Sequence, residues 1–244
     1  VSDQAFSIQE IDFDAVYQGK PPVDGSEAAF EKVPWDIGEP QPVVVALADA
    51  GDVRGDVLDV GCGQGDNSIF LATRGFHVTG VDGSTTALEI ARQRAARQGA
   101  RVDFVQADAT TLDGIEPQFD TVLDSALYHC LEGDQRSAYS AALHRVTRPG
   151  ARLHLLCFAD VGNEALAIPM AVSQDDLRQH LGRHWDIHEI RAADYTTSLT
   201  QEGLAHAMQL MQQVPEVDDP SALRTDEQGR IVGQVWHLRA TRIS

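Results

Sequence analysis

A doubly wound α/β sheet is the fold this sequence predicts, on three observations. Apolar runs suited to buried parallel strands alternate with helix-length segments between residues 56 and 158. The first run, Val57-Leu58-Asp59-Val60, breaks into Gly61-Cys62-Gly63-Gln64-Gly65, a loop whose glycines permit a sharp turn and close approach of a ligand. The second run, His77-Val78-Thr79-Gly80-Val81, ends in a carboxylate, Asp82, seventeen residues after Gly65. A glycine loop after one strand and an acid at the tip of the next make a pocket for a nucleoside.

The elements follow in order. Residues 1 to about 40 lack periodicity and carry Pro21-Pro22, Pro34 and Pro40, with Pro42 just beyond, so they read as a cap over the ligand edge of the sheet. Gln41–Ala50 reads as a helix leading into strand Asp56–Val60. A helix over Asn67–Arg74 stops at Gly75. Strand Val78–Val81 precedes a helix over Thr85–Gln98, which Ser84 or Thr85 caps, Gly99 ends, and Leu88, Ala91 and Ala95 face inward. Strands Val102–Gln106 and Thr121–Asp124 follow, then a helix over Asp134–Val146. Arg148-Pro149-Gly150 turns the chain into strand Arg152–Phe158. Beyond it, Ser173-Gln174-Asp175-Asp176 resembles a capping box for a helix over Asp176–Leu181. Two late strands, 185–195 and 234–242, enclose a helix over Gln201–Gln213 and a polar loop with Pro215 and Pro220. One domain is expected, with a cap over 1–45, a cofactor-binding core over 46–160 and a substrate-side part over 161–244.

Composition narrows the function. The 244 residues carry a formal net charge of −18, which opposes nucleic acid or an anionic membrane as partner, because both demand a basic face. No run of about 18 apolar residues suits a membrane span. Val1-Ser2-Asp3-Gln4 lacks the basic and apolar regions of a signal peptide, so a cytoplasmic protein is expected. The three cysteines, Cys62, Cys130 and Cys157, form no C-x-x-C pair, and no disulfide framework or zinc site is expected. His180, His184 and His188 straddle a helix end and a new strand, which opposes a shared metal-binding face.

Asp66 decides between ligands of the glycine loop. A dinucleotide fingerprint needs glycine there, so a nicotinamide-dependent oxidoreductase is disfavoured. The G-x-G-x-G spacing, with Asp59 before it and Asp82 after it, resembles motif I of the class I S-adenosylmethionine-dependent methyltransferases. Val33-Pro34-Trp35-Asp36-Ile37-Gly38 resembles the thiopurine and thiol/halide methyltransferase group. Together with Phe13-Asp14-Ala15-Val16-Tyr17-Gln18-Gly19 and Asp124-Ser125-Ala126-Leu127-Tyr128-His129, it resembles more closely the small actinobacterial enzymes that methylate heterocyclic toxins such as hydroxyquinolones. The resemblance spans roughly residues 10–195.

It implies a mostly parallel, seven-stranded Rossmann-like sheet with an N-terminal cap and an insertion before the last strand. It also implies S-adenosyl-L-methionine as cofactor and S-adenosyl-L-homocysteine as product. Gly61, Gly63 and Gly65 would meet the methionine moiety, Asp59 would order the loop or the cofactor amine, and Asp82 with Gly83 would take the ribose hydroxyls. Asp108 would accept from the adenine amine and Ala109 would offer its N–H, with Trp35 and Asp124 completing the cofactor site. Asp124-Ser125-Ala126-Leu127 departs from the Asn/Asp-Pro-Pro-Tyr/Phe sequence of enzymes that methylate amino groups on nucleic acid bases.

Methyl transfer from a sulfonium needs alignment, desolvation and, for a protonated acceptor, a base. His129 is the candidate base, with packing at a helix start as its plain alternative; Tyr128 and Tyr17 are candidates to shape an aromatic slot. The expected activity is methylation of a small aromatic or heterocyclic molecule, at oxygen first and at nitrogen or sulfur otherwise. Thiol or halide methylation, and cofactor binding without catalysis, are the alternatives. Met208 and Met211 on the insertion helix suit core packing or a substrate lid.

Overall fold

The computed structural model describes residues 8–23, 25, 29–30, 32–116, 118–163, 170–204 and 223–244. Seven strands form one sheet in the order β3-β2-β1-β4-β5-β7-β6. They are β1 (Asp56–Val60), β2 (His77–Asp82), β3 (Asp103–Gln106), β4 (Phe119–Ser125), β5 (Thr147–Phe158), β6 (Trp185–Thr200) and β7 (Arg230–Arg242). The first five run parallel; β7 lies antiparallel between β5 and β6. Chain order reverses direction between β1 and β4, and ligands of open parallel sheets bind beyond the strand ends at such a point.

The helices are α1 (Phe13–Tyr17), α2 (Pro42–Asp49), α3 (Asp66–Thr73), α4 (Thr85–Gln98), α5 (Asp134–Val146) and α6 (Gln174–Leu181). The sequence places α2 to α6 and all seven strands, with ends that move by a few residues. The capping logic holds locally: the Ser84 hydroxyl accepts from Ala87 N–H, the Ser173 hydroxyl accepts from Asp176 N–H, and left-handed Gly99 closes α4.

Three differences have physical causes. The cap contains α1, whose Asp12 side chain accepts from Ala15 N–H; five residues are too short for a periodic signal. Strand β5 starts at Thr147, paired with Phe119, so residues 148–151 bulge from a continuing strand instead of preceding it. Strand β6 runs to Thr200 because its long partner β7 pairs with it along most of its length. The expected helix Gln201–Gln213 with Met208 and Met211, beyond residue 204, and the polar loop with Pro215 and Pro220 lie outside the described residues.

Val57, Leu58, Asp59 and Val60 are all buried, as befits a parallel strand covered on both faces. One core cluster joins the sheet to α5 and α6 through Tyr139, Leu143, Leu177 and Leu181. A second joins it to α2 and α3 through Val44, Leu47 and Leu71. Each such side chain contributes about 1.5–3 kcal/mol, whereas an exposed ion pair such as Arg74–Asp49 contributes under about 1 kcal/mol, so packing decides the fold.

Candidate functional site

The glycine loop is drawn under the tip of β2. Val81 C=O accepts from Gly61 N–H at 2.7 Å and Cys62 N–H at 3.0 Å. Gly61 has φ +71°, and a Cβ there would lie 2.8 Å from Leu127 Cβ. At Gly63, φ +52°, a Cβ would lie 2.8 Å from the Tyr17 hydroxyl. Side chains are thus excluded at both positions by backbone conformation and by neighbours. Gly65, also left-handed, is the residue before α3.

Two acids serve this loop. Asp82 Oδ2 accepts from Gly63 N–H at 2.8 Å and Oδ1 from Ser84 N–H at 2.8 Å, so it fastens the loop to the end of β2. Burial raises its pKa. Gly83 has open space where a side chain would stand, and its carbonyl accepts from Gln106 Nε2. Asp59 is 1% exposed; Oδ2 accepts the Ser68 hydroxyl at 2.5 Å, and Oδ1 has no partner. Burial pushes its carboxyl up to about 7. An unmatched buried oxygen beneath a glycine cradle suits a positively charged or hydrogen-donating ligand group. Asp108 is exposed after β3; its Oδ1 accepts from the N–H and hydroxyl of Thr110 at 2.7 Å each, and half-buried Ala109 lies between them in sequence.

The cap closes over the loop. Trp35 Nε1–H donates to the Tyr17 hydroxyl at 2.8 Å, and Phe13 packs on the Trp35 ring at 5.7 Å. Desolvation and the nearby Asp82 charge keep Tyr17 protonated. Arg94, on α4, bonds Asp36 of the cap at 2.7 Å, Asp66 at the start of α3 at 2.9 Å and Gln64 of the loop at 3.0 Å. Burial pulls the Asp36 carboxyl up, but the Arg94 hydrogen bonds and charge outweigh it and leave its pKa lowered; Asp66 is pushed up by burial to about 6. Pro34 and Val33 carbonyls accept from Ser198 N–H and hydroxyl, which ties the cap to β6 as well.

A cleft opens between cap, loop and sheet, lined among others by Trp35, Gln41, Gly63, Asn67, Ser125 and Tyr195. Tyr195 comes from β6 and Ser125 from the end of β4; their hydroxyls are 3.3 Å apart. Burial raises the Tyr195 phenol to about 12.

Three expectations are corrected. Asp124 is fully buried: Oδ1 accepts from Leu127 and Tyr128 N–H, and Oδ2 accepts the Tyr139 hydroxyl at 2.7 Å. It organises the turn after β4 and does not face the cleft. Tyr128 is also fully buried, donates to Asp176 at 3.0 Å and lies under Arg136, so it shapes no substrate slot. His129 is 5% exposed and stacks on Phe158 at 4.3 Å. Its Nδ1 accepts from Phe158 N–H at 3.3 Å, which places the single proton of the neutral ring on Nε2. Burial, with Arg136 nearby, pushes its pKa down to about 3. A ring with its basic nitrogen occupied is no general base.

The sequence reading missed Arg94 and Tyr195, and it quoted Ser125 and Ala126 only within the motif, without a role for either. Ala126 adopts φ +79°, a strained value for a residue with a side chain. Arg94 carried a signal, standing on α4 beside a cap containing Asp36, but an arginine on a helix suggests only a solvated face. Tyr195 had none, because 70 residues separate it from Ser125.

His180, His184 and His188 each meet a different hydroxyl, of Ser137, Ser140 and Thr241. Among the described residues no helix is long and apolar enough to cross a membrane.

Comparison with known proteins fits this geometry. Residues 57–150 match a family model described as a methyltransferase domain. The chain is 34% identical over 183 residues to the 2-heptyl-1-hydroxyquinolin-4(1H)-one methyltransferase of Mycobacteroides abscessus, covering 74% of this chain and 79% of that one. It is 30% identical over 139 residues to the probable thiol methyltransferase 2 of Arabidopsis thaliana, covering 55% and 61%. A solved structure reported for conversion of a disulfide bond into a thioacetal group during echinomycin biosynthesis is 36% identical, with a TM-score of 0.74 over 94% of this chain and 91% of that chain.

Proposed function

From the premise that this chain belongs to the S-adenosylmethionine-dependent methyltransferases, we propose that it methylates a small planar heteroaromatic molecule, at oxygen in preference to nitrogen or sulfur. The observation that carries the reading is the cleft beside the glycine loop, walled by Trp35 on the cap side and by the Ser125 and Tyr195 hydroxyls on the sheet side. A flat aromatic body suits the indole wall, and a polar acceptor atom suits the hydroxyls. Similarity to a hydroxyquinolone methyltransferase supports the class of acceptor.

The residues fit the cofactor. When bound, S-adenosylmethionine supplies an electrophilic methyl group on a sulfonium. Asp59 offers its unmatched Oδ1 toward a cationic amine. Gly61, Gly63 and Gly65 line the cleft where the methionine part of the cofactor would lie. Asp82 keeps lone pairs for ribose hydroxyls besides those spent on Gly63 and Ser84. Asp108 and Ala109 would take the adenine edge, beyond β3. Tyr17 and Trp35 cover the loop and exclude water from the reacting centre.

Calorimetry with S-adenosylhomocysteine tests the cofactor side. Wild type should bind, Asp82→Asn more weakly, and Asp82→Ala weakest; equal binding by all three removes Asp82 from the site. A panel of hydroxyquinolones, phenols and thiols tests the acceptor. Turnover restricted to thiols, which the similarity to a thiol methyltransferase favours, would replace the oxygen reading with a sulfur one.

A further inference from the structure

The cleft described above is lined by both acidic groups and hydroxyls. The acidic groups lining it are Asp36, Glu39, Cys62, Asp66 and Tyr195. Both oxygens of Asp36 and both of Asp66 accept from Arg94. Glu39 stands half-exposed with Oε1 on Arg230 at 2.7 Å. The Cys62 thiol is driven up by burial and by Asp59, and stays protonated. Asp59 is buried behind the loop, and the basic nitrogen of His129 is taken. Among the described residues lining the cleft, no side chain presents a free, buried lone pair with the basicity to remove an acceptor proton.

What the cleft does present is a pair of hydroxyls. Only one proton can lie between Ser125 Oγ and the Tyr195 oxygen, whichever donates, so one O–H of the pair remains to be given elsewhere. A hydroxyl proton is a strong donor to an anion and a poor partner for the protonated face of a neutral acid.

We propose, resting on the methyltransferase reading above, that the acceptor enters already ionised and is held by the Tyr195–Ser125 hydroxyl pair, which restricts substrates to compounds whose nucleophilic oxygen or sulfur is acidic enough to ionise near neutral pH. The anion's lone pair forms the new bond to the methyl carbon while the carbon–sulfur bond breaks onto sulfur. Negative and positive charges cancel, and no proton changes hands. Acidic N-hydroxy heterocycles and aromatic thiols belong to this class; simple aliphatic alcohols do not. Tyr195 and Ser125 touch the acceptor and set its position.

The test is the pH dependence of kcat/KM for a series of ring-substituted 1-hydroxyquinolin-4-ones of graded acidity, with S-adenosylmethionine saturating. The acid limb of the profile should move in step with each acceptor's own pKa, in wild type and in Glu39→Gln alike. Tyr195→Phe should lower kcat/KM about tenfold without moving the limb, the size expected for one hydrogen bond to charge. Its affinity for S-adenosylhomocysteine should stay that of wild type, and Ser125→Ala serves where Tyr195→Phe does not fold. A limb fixed at one pH for every acceptor overturns the proposal, since a protein base would then set it. Loss of that limb in Glu39→Gln would name the base. Full activity in both hydroxyl variants also overturns it. Failure of wild type to bind S-adenosylhomocysteine defeats the underlying methyltransferase site instead, a result calorimetry separates from the others.

Discussion

Two turns lie side by side at the ligand edge of the sheet, and they reach similar shapes by opposite means. Val60 of β1 pairs with Asp124 of β4, so the turn beginning at Gly61 and the turn beginning at Ser125 leave neighbouring strands together. The first places φ +71°, +52° and +85° at Gly61, Gly63 and Gly65. The second places φ +79° at Ala126, a residue that resists it, and holds it there with bonds. Ala126 N–H donates to Leu156 C=O at 2.9 Å, and Asp124 accepts from the two N–H groups that follow. One turn is permitted by residue choice; the other is imposed by its surroundings.

The largest test of this contrast is Gly61→Ala, which combines an unfavourable φ with a 2.8 Å approach to Leu127 Cβ. It should cost about 3 kcal/mol, or roughly 6–12 °C in Tm, and weaken S-adenosylhomocysteine binding at least about tenfold. Adding Leu127→Ala should recover only the contact part, read by thermal unfolding of both variants. Unchanged stability in the single variant would show that the two turns are not packed as described.

Asp124→Asn attacks the second turn. Asn keeps one of the two acceptor oxygens, so either Tyr139 O–H or the two backbone N–H groups lose theirs, and a loss of about 2 kcal/mol is expected by denaturant unfolding. Because Ser125 precedes the strained residue, kcat/KM should fall further than cofactor affinity. If cofactor affinity falls most, Asp124 acts on the glycine loop after all.

Acid acts with opposite signs on His129 and Asp59, and Asp124, which burial raises to about 7, shares the sign of Asp59. His129, with a folded pKa of about 3 against an ordinary 6.5, is held neutral by the fold. Its contribution is complete above pH 6.5 and is lost as pH falls toward 3, at up to about 1.4 kcal/mol per pH unit. His129→Gln should flatten that limb. Asp59, raised from 3.8 to about 7, acts oppositely and is stabilising at low pH, its contribution fading as pH rises through 7. Identical pH profiles for wild type and His129→Gln would show that the ring is not buried as a neutral group.

The smallest effect is the most specific. Ala126→Gly should change stability by less than about 0.5 kcal/mol or raise it by up to about 1 kcal/mol, since relief of strain offsets the added freedom of the unfolded chain. Ala138→Gly, at an exposed position inside α5, should cost about 1 kcal/mol. Equal losses in the two variants would remove the strain at Ala126.

The same contrast explains what could be read beforehand. Strand runs, helix caps at Ser84 and Ser173, and the glycine loop all rest on local chemistry, and each appears where the residues place it. The cofactor candidates on that loop could be named because they stand at fixed spacing within one local stretch. The wall opposite could not be read this way. Tyr128 and His129 stand one and two residues past Leu127, and a strand end suggests a mouth; a tight turn held by Asp124 carries both inward instead. Tyr195 reaches the cleft only because β6 closes the sheet beside β7, a pairing that no local pattern around residue 195 encodes.

The Arg94 guanidinium has a consequence for rebuilding this protein. It is the shared counterion of a carboxylate from the N-terminal segment and one from the first helix after the glycine loop. A chimera that imports a foreign N-terminal segment therefore needs an acid at the position of Asp36, or it leaves one pole of that cation unmatched. A graft keyed on this single residue would exchange the roof of the cleft, and with it the molecules admitted, while leaving the foundations untouched.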